Sequence, residues 1–134
     1  MELLRVKNLK MYYKTMRGDV RAVDNVSFEV DEQDALGLAG ESGCGKTSAA
    51  LAVIRLLPSN GRIVDGSITL RDEELTKMSD ADIRKKIRWK KISMIFQGAM
   101  NALHPTYTVG HQISEAIVFH EGVSKQDALK RAEH

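Results

Sequence analysis

The chain has 134 residues, about one domain by length, and is 43% hydrophobic and 28% charged, which excludes a disordered or low-complexity polymer. A net charge of +2, with 20 basic residues interspersed among 18 acidic ones, is too mild to argue for a nucleic-acid partner, and none is expected; the single cysteine, Cys44, excludes an internal disulfide. No run approaches the length of about 18 apolar residues that spans a bilayer, and Met1 to Val6 does not open a signal peptide, so the expected compartment is the cytosol.

In chain order, Leu3 to Leu9 alternates loosely and predicts a strand. Val20 to Val30 predicts a second strand pair, with Val26, Phe28 and Val30 on one face, after the polar, turn-like Thr15 to Asp19. Ala35 to Ala39 is a short apolar run ending at Gly40 and predicts a buried parallel strand. A helix is expected from Gly45 or Lys46 to about Leu57, where Pro58 stops it, with Ala49, Ala50, Val53, Ile54 and Leu57 at helical spacing. Ser59 to Gly61 reads as a turn and Gly66 to Leu70 as a strand. Ser79, with Asp82 three residues on, predicts an N-cap and a helix to about Ile87. Ile92 to Phe96 predicts another buried strand. Thr108 to about His120 and Ser124 to His134 predict two more helices, the second with the same capping pattern at Ser124 and Asp127. The basic run Arg84, Lys85, Lys86, Arg88, Lys90, Lys91 reads as a solvated helix face and turn. Strands alternating with helices imply a parallel α/β sheet.

Gly40-Glu41-Ser42-Gly43-Cys44-Gly45-Lys46-Thr47 matches the phosphate-binding loop pattern G-x-x-x-x-G-K-[ST] in full. By average residue usage, a chance match costs on the order of 10⁻⁵ per position, about half a percent over the chain. The residue types follow from the chemistry. Glycines allow the loop to turn its N–H groups inward as an anion nest, and the helix that follows adds the positive end of its dipole. Lys46 supplies a mobile cation for the β- and γ-phosphates, and the Thr47 hydroxyl is a hard oxygen ligand suited to Mg²⁺. The expected phosphate-binding set is Gly40, Glu41, Ser42, Gly43, Cys44, Gly45, Lys46, Thr47 and Ser48, with ATP and Mg²⁺ as cofactors. Cys44 reads more simply as a small residue that fits the loop than as a redox-sensitive thiol.

Gly40 to Thr47, Met94-Ile-Phe-Gln97 and Val20 to Val30 together resemble the nucleotide-binding subunit of an ABC transporter. Arg21 to Phe28 and Gln97-Gly-Ala-Met-Asn-Ala-Leu-His-Pro105 resemble its oligopeptide/dipeptide importer branch, and the resemblance runs from Leu3 to the end. It implies an α/β P-loop NTPase core with an N-terminal antiparallel β subdomain and the start of a helical subdomain, as the incomplete, N-terminal part of one nucleotide-binding domain. The implied parts are 1–34 (antiparallel β region), 35–97 (P-loop core part) and 98–134 (start of the helical subdomain). It places Tyr13 as the aromatic platform that stacks on adenine, with Tyr12 as competitor. It makes Gln97, together with Lys46, a catalytic residue, Gln97 contacting Mg²⁺ or the attacking water. Met94, Met100, Leu103 and Val109 are either docking residues for a transmembrane partner or core, with core the better reading for Met94. The implied partners are a second ATP-binding subunit, permease subunits and a separate solute-binding protein, at the inner face of the cell membrane. Three positions depart from the family pattern: Gln33-Asp34 for Gly-Glu, Gly98 for aspartate and His104 for asparagine. His104 has no clustered partner that would make it a metal ligand.

No hydrophobic run ending in Asp-Glu, no Leu-Ser-Gly-Gly-Gln signature and no later switch histidine follows Gln97. The expectation is therefore a chain that binds ATP without hydrolysing it alone, whose parent subunit is a transport ATPase. An incomplete parallel sheet is expected to leave strand edges that aggregate or pair. A small P-loop kinase or GTPase would need a lid or an Asn/Thr-Lys-x-Asp motif, and neither is found. A non-catalytic regulatory module is the third reading.

Overall fold

A computed structural model describes residues 1–98 and 102–133. They fall into two compact units, Met1–Arg84 and Lys85–His134.

The first unit is built on an antiparallel sheet in the order β2-β1-β3-β4, with β1 Glu2–Thr15, β2 Gly18–Asp31, β3 Gly61–Leu70 and β4 Glu73–Glu74. The β1–β2 hairpin closes at Thr15, whose hydroxyl donates to the Gly18 carbonyl at 2.7 Å. The loose alternation of β1 has a structural cause. Asn8 sits at φ 48, and the pairing of β1 with both β2 and β3 shifts register around it. Its backbone N–H donates to the Ser27 hydroxyl at 2.7 Å. The bulge changes the parity of the strand, so the fully buried residues step from Val6 to Leu9 and then to Met11. With Val23, Ile68, Leu70 and Leu75 these form the core under the sheet.

Helix α1, Lys46–Val53, buries Ala49, Ala52 and Val53. It is shorter than the expected helix to Leu57, because it ends before the proline in a Schellman turn. Leu56 N–H donates to the Leu51 carbonyl at 2.9 Å and Arg55 N–H to Ala52 at 3.0 Å, with Arg55 in the left-handed region at φ 54. The Arg55 guanidinium holds that conformation by donating to the Leu75 carbonyl at 2.7 Å and the Asp80 carboxylate at 3.0 Å.

Ser79 caps α2, Asp80–Asp82, as expected, accepting from the Asp82 N–H at 3.1 Å. The helix does not continue as α to Ile87. Ile83–Ile87 forms a π-helical turn that buries Ile83 and Ile87 completely. Arg84, Lys85, Lys86, Lys90 and Lys91 of the basic run are exposed.

Neither expected parallel strand forms. Residues 35–39 are irregular and exposed, with Leu36 and Leu38 each 47% accessible. At 92–96 there is only an isolated bridge from Arg88 to Ile92, and Ile95 is 91% exposed. A strand needs a neighbour for its N–H and C=O groups, and among the described residues no strand pairs with either segment.

In the second unit, α3 Val109–Glu121 and α4 Lys125–Ala132 pack on each other. The cap at Ser124 matches the sequence reading, and Thr108 caps α3 in the same way. Thr108 accepts from the His111 N–H at 3.3 Å, and Ser124 accepts from the Asp127 N–H at 3.1 Å. Gly122, at φ 69, ends α3 by donating to the Val118 carbonyl at 2.9 Å. The expected end at His134 lies outside the described residues. Replacing Ser124 with alanine is expected to lower stability by about 1 kcal/mol and replacing it with glycine by only a few tenths, read from urea midpoints. Equal losses would show that the side-chain cap is not what matters. Met94 is half-buried rather than core, while Leu103 and Val109 are 47% and 53% exposed; Met100 lies outside the described residues.

Candidate functional site

The loop from Gly40 leads directly into α1, with Gly45 as its N-cap at φ 97 and no side-chain cap. The first-turn amides of a helix have no intrahelical acceptor, and this first turn contains no acidic residue, so its N–H dipoles are uncompensated by a neighbouring carboxylate. A Cβ on Gly45 would stand 2.2 Å from the Ala22 carbonyl oxygen of β2, an overlap that only glycine avoids. A Cβ on Gly40 would lie 2.7 Å from Cys44 Sγ and 3.9 Å from Lys46 Nζ. Neither position has room for a side chain as the loop stands.

Lys46 reaches back over the loop. Its ammonium donates to the Gly40 and Glu41 carbonyls, each at 2.7 Å, and lies 3.4 Å from Cys44 Sγ. The cation is thus held over the loop rather than extended into solvent. Cys44 is exposed, as are Glu41, Ser42 and Thr47, while Ser48 is half-buried.

The two candidate tyrosines part company. The Tyr12 hydroxyl donates to the Asp24 carboxylate at 2.8 Å, and the Arg21 guanidinium lies 5.7 Å from the ring centroid. That bond to Asp24 is the main cause holding the Tyr12 phenol above its ordinary pKa. Tyr13 shares a 3.0 Å hydrogen bond with the Ser48 hydroxyl on α1. The structure therefore brings Tyr13, and not Tyr12, to the helix that follows the loop. The contacts joining Tyr13, Lys46 and Ser48 to their surroundings all lie within the first unit.

Gln97 belongs to the second unit. It does not emerge from a strand end; it occupies an exposed turn with Gly98, which has φ 78. His104 has local partners, sharing a 2.8 Å bond between Nδ1 and the Thr106 hydroxyl, and no group of three or more metal-ligating side chains occurs among the described residues. Two features were missed by sequence reasoning: the Ala22 carbonyl beneath Gly45 and the Tyr13–Ser48 bond. Each joins residues more than 20 apart, and no local pattern signals either.

The geometry so defined is a glycine-rich loop that runs into a helix N-terminus, crossed by a lysine and tied through Ser48 to Tyr13, the layout of the P-loop pattern. The profile described as "ABC transporter" matches residues 23–134, and the chain belongs to that family. It is 41% identical over 131 residues to the oligopeptide transport ATP-binding protein AppD of Bacillus subtilis (strain 168), covering 97% of this chain and 40% of that protein. It is 39% identical over 130 residues to the oligopeptide transport ATP-binding protein OppD of Escherichia coli (strain K12), covering 97% of this chain and 38% of that protein. The chain thus spans about two fifths of the length of these relatives. Its fold resembles the ATP-binding cassette MJ0796, solved as a dimer in a post-hydrolysis state bound to ADP and Pi. The TM-score is 0.74 at 21% identity, over 97% of this chain and 54% of that one. Among the described residues no helix is long and apolar enough to cross a membrane.

Proposed function

We propose that the chain binds Mg-ATP as part of an ABC importer ATPase that energises uptake of peptides or similar solutes. The observation that carries this reading is the Lys46 ammonium bridging the glycine loop at Gly40 and Glu41, in a chain of the ABC transporter family. Lys46 and the loop amides hold the phosphates, Thr47 ligates Mg²⁺, and Tyr13 stacks on adenine, whose π-face suits an aromatic platform. Gln97 contacts the metal or the attacking water. Residues 1–34, 35–97 and 98–134 serve as the β region, the P-loop core part and the start of the helical subdomain. The subunit works at the inner face of the cell membrane with a second ATP-binding subunit, permease subunits and a solute-binding protein. Oligopeptide and dipeptide transport in the names of the relatives supports the peptide reading.

The 134 residues contain P-loop, metal-ligand and glutamine elements and no signature sequence. Phosphoryl transfer to water needs a residue to position the nucleophile and charge stabilisation around the γ-phosphate. Saturable Mg-ATP binding without phosphate release above background is the expected result for this chain. Equilibrium titration with ATP and steady-state phosphate release test it. Absence of binding overturns the function, and turnover at about 1 s⁻¹ or faster overturns the assignment of the chain as inactive alone.

A further inference from the structure

We propose that Ser48 is a positioning residue for the nucleotide base: its hydroxyl, together with the bare backbone at Gly61, fixes the Tyr13 ring against which adenine stacks. This rests on the reading of Tyr13 as the base platform. The Tyr13 and Ser48 hydroxyls share a 3.0 Å bond that ties β1 to the first turn of α1, one residue beyond Thr47. On the other side, the β1–β3 pairing sets Gly61 opposite Tyr13. A Cβ there would meet Tyr13 Cε1 at 3.2 Å and Met11 Cε at 3.0 Å. The edge of the ring therefore rests against a residue without a side chain, and its tip is tied to the phosphate helix.

A tyrosine side chain turns about two torsions, and stacking is productive only when a face is presented to the base. Fixing the ring before binding removes the cost of ordering it on binding. Tyr13 and Ser48 are both half-buried, which shields their bond from competition with water. Phenylalanine at position 13 would stack as well but would lack the tie. The orientation of the base platform is thereby coupled to the helix that carries Lys46 and Thr47.

The test compares affinity for Mg-ATP with affinity for inorganic tripolyphosphate, which has the phosphates and no base. Tyr13→Phe is expected to weaken ATP binding about fivefold while leaving tripolyphosphate unchanged to within about twofold, and Ser48→Ala, which stands in the phosphate-binding set as well, to weaken ATP binding at least as much. The double variant is expected to be no weaker than Ser48→Ala alone, because both remove the same bond. Additive losses, or a Tyr13→Phe loss equally large for tripolyphosphate, overturn the proposal. Tyr13→Ala separates the layers. If it leaves ATP affinity unchanged, the platform reading itself fails; if it weakens ATP binding while Ser48→Ala does not, only the role of Ser48 fails. Should Ser48→Ala not fold by circular dichroism, Tyr13→Phe carries the comparison without touching the helix, and no loss of ATP affinity in it overturns the proposal.

Discussion

Replacing Lys46 with alanine is expected to raise the Kd for Mg-ATP about a hundredfold or more, with little change in circular dichroism. Hydrogen bonds to charged groups contribute about 1.5–3 kcal/mol each, and a cation facing phosphate oxygens makes more than one. The side chain already lies over the loop, 2.7 Å from two carbonyl oxygens, so its ammonium is presented where the phosphates are proposed to sit. Alanine removes the cation and the brace together. Lys46→Met keeps the apolar stem and removes only the charge and its donors. Equal losses in the two variants assign the effect to the ammonium. Unchanged affinity in both would remove the phosphate-binding role of the loop.

The second large effect is expected at Gly45, and Gly43 is its control. Both have positive φ, 97 and 79. An alanine at either pays left-handed backbone strain of about 1–2 kcal/mol. They differ in surroundings. A Cβ on Gly43 meets nothing within 4 Å, whereas one on Gly45 meets the Ala22 carbonyl oxygen at 2.2 Å. That oxygen belongs to backbone inside β2 and cannot rotate aside, so the loop or the strand must move. Gly43→Ala is expected to weaken Mg-ATP binding about tenfold, from strain alone. Gly45→Ala is expected to abolish measurable binding and to lower the thermal midpoint as well, since it separates α1 from β2. Titration of both variants beside their melting curves checks this. Equal effects at the two positions would show that the close approach to Ala22 does not hold the loop.

Much of the candidate site was legible in the sequence because the residues proposed for it are contiguous. The glycines, Lys46 and Thr47 lie within eight residues, and the backbone freedom and charge they supply do not depend on distant partners. The caps at Ser79 and Ser124 were legible for the same reason, since each side chain bonds an amide three residues away. The expected strands at Ala35–Ala39 and Ile92–Phe96 were not realised, although both runs are apolar. An apolar run does not encode its partner, and pairing decides whether it becomes a strand. The end of α1 was misplaced because Pro58 is a local stop signal, while Arg55 is held in its left-handed turn by carbonyls 20 or more residues away.

By itself, then, the sequence determined the glycine loop of the P-loop pattern, the caps at Ser79 and Ser124 and membership of the ABC transporter family, all of which reside in short-range patterns. The tertiary structure alone decided which tyrosine meets the phosphate helix. The Asn8 bulge changes the parity of β1, and the strand then delivers Tyr13 to Ser48 while Tyr12 turns to Asp24. A single inserted residue reverses the facing of every side chain that follows, and whether it is accommodated depends on pairing with β2 and β3.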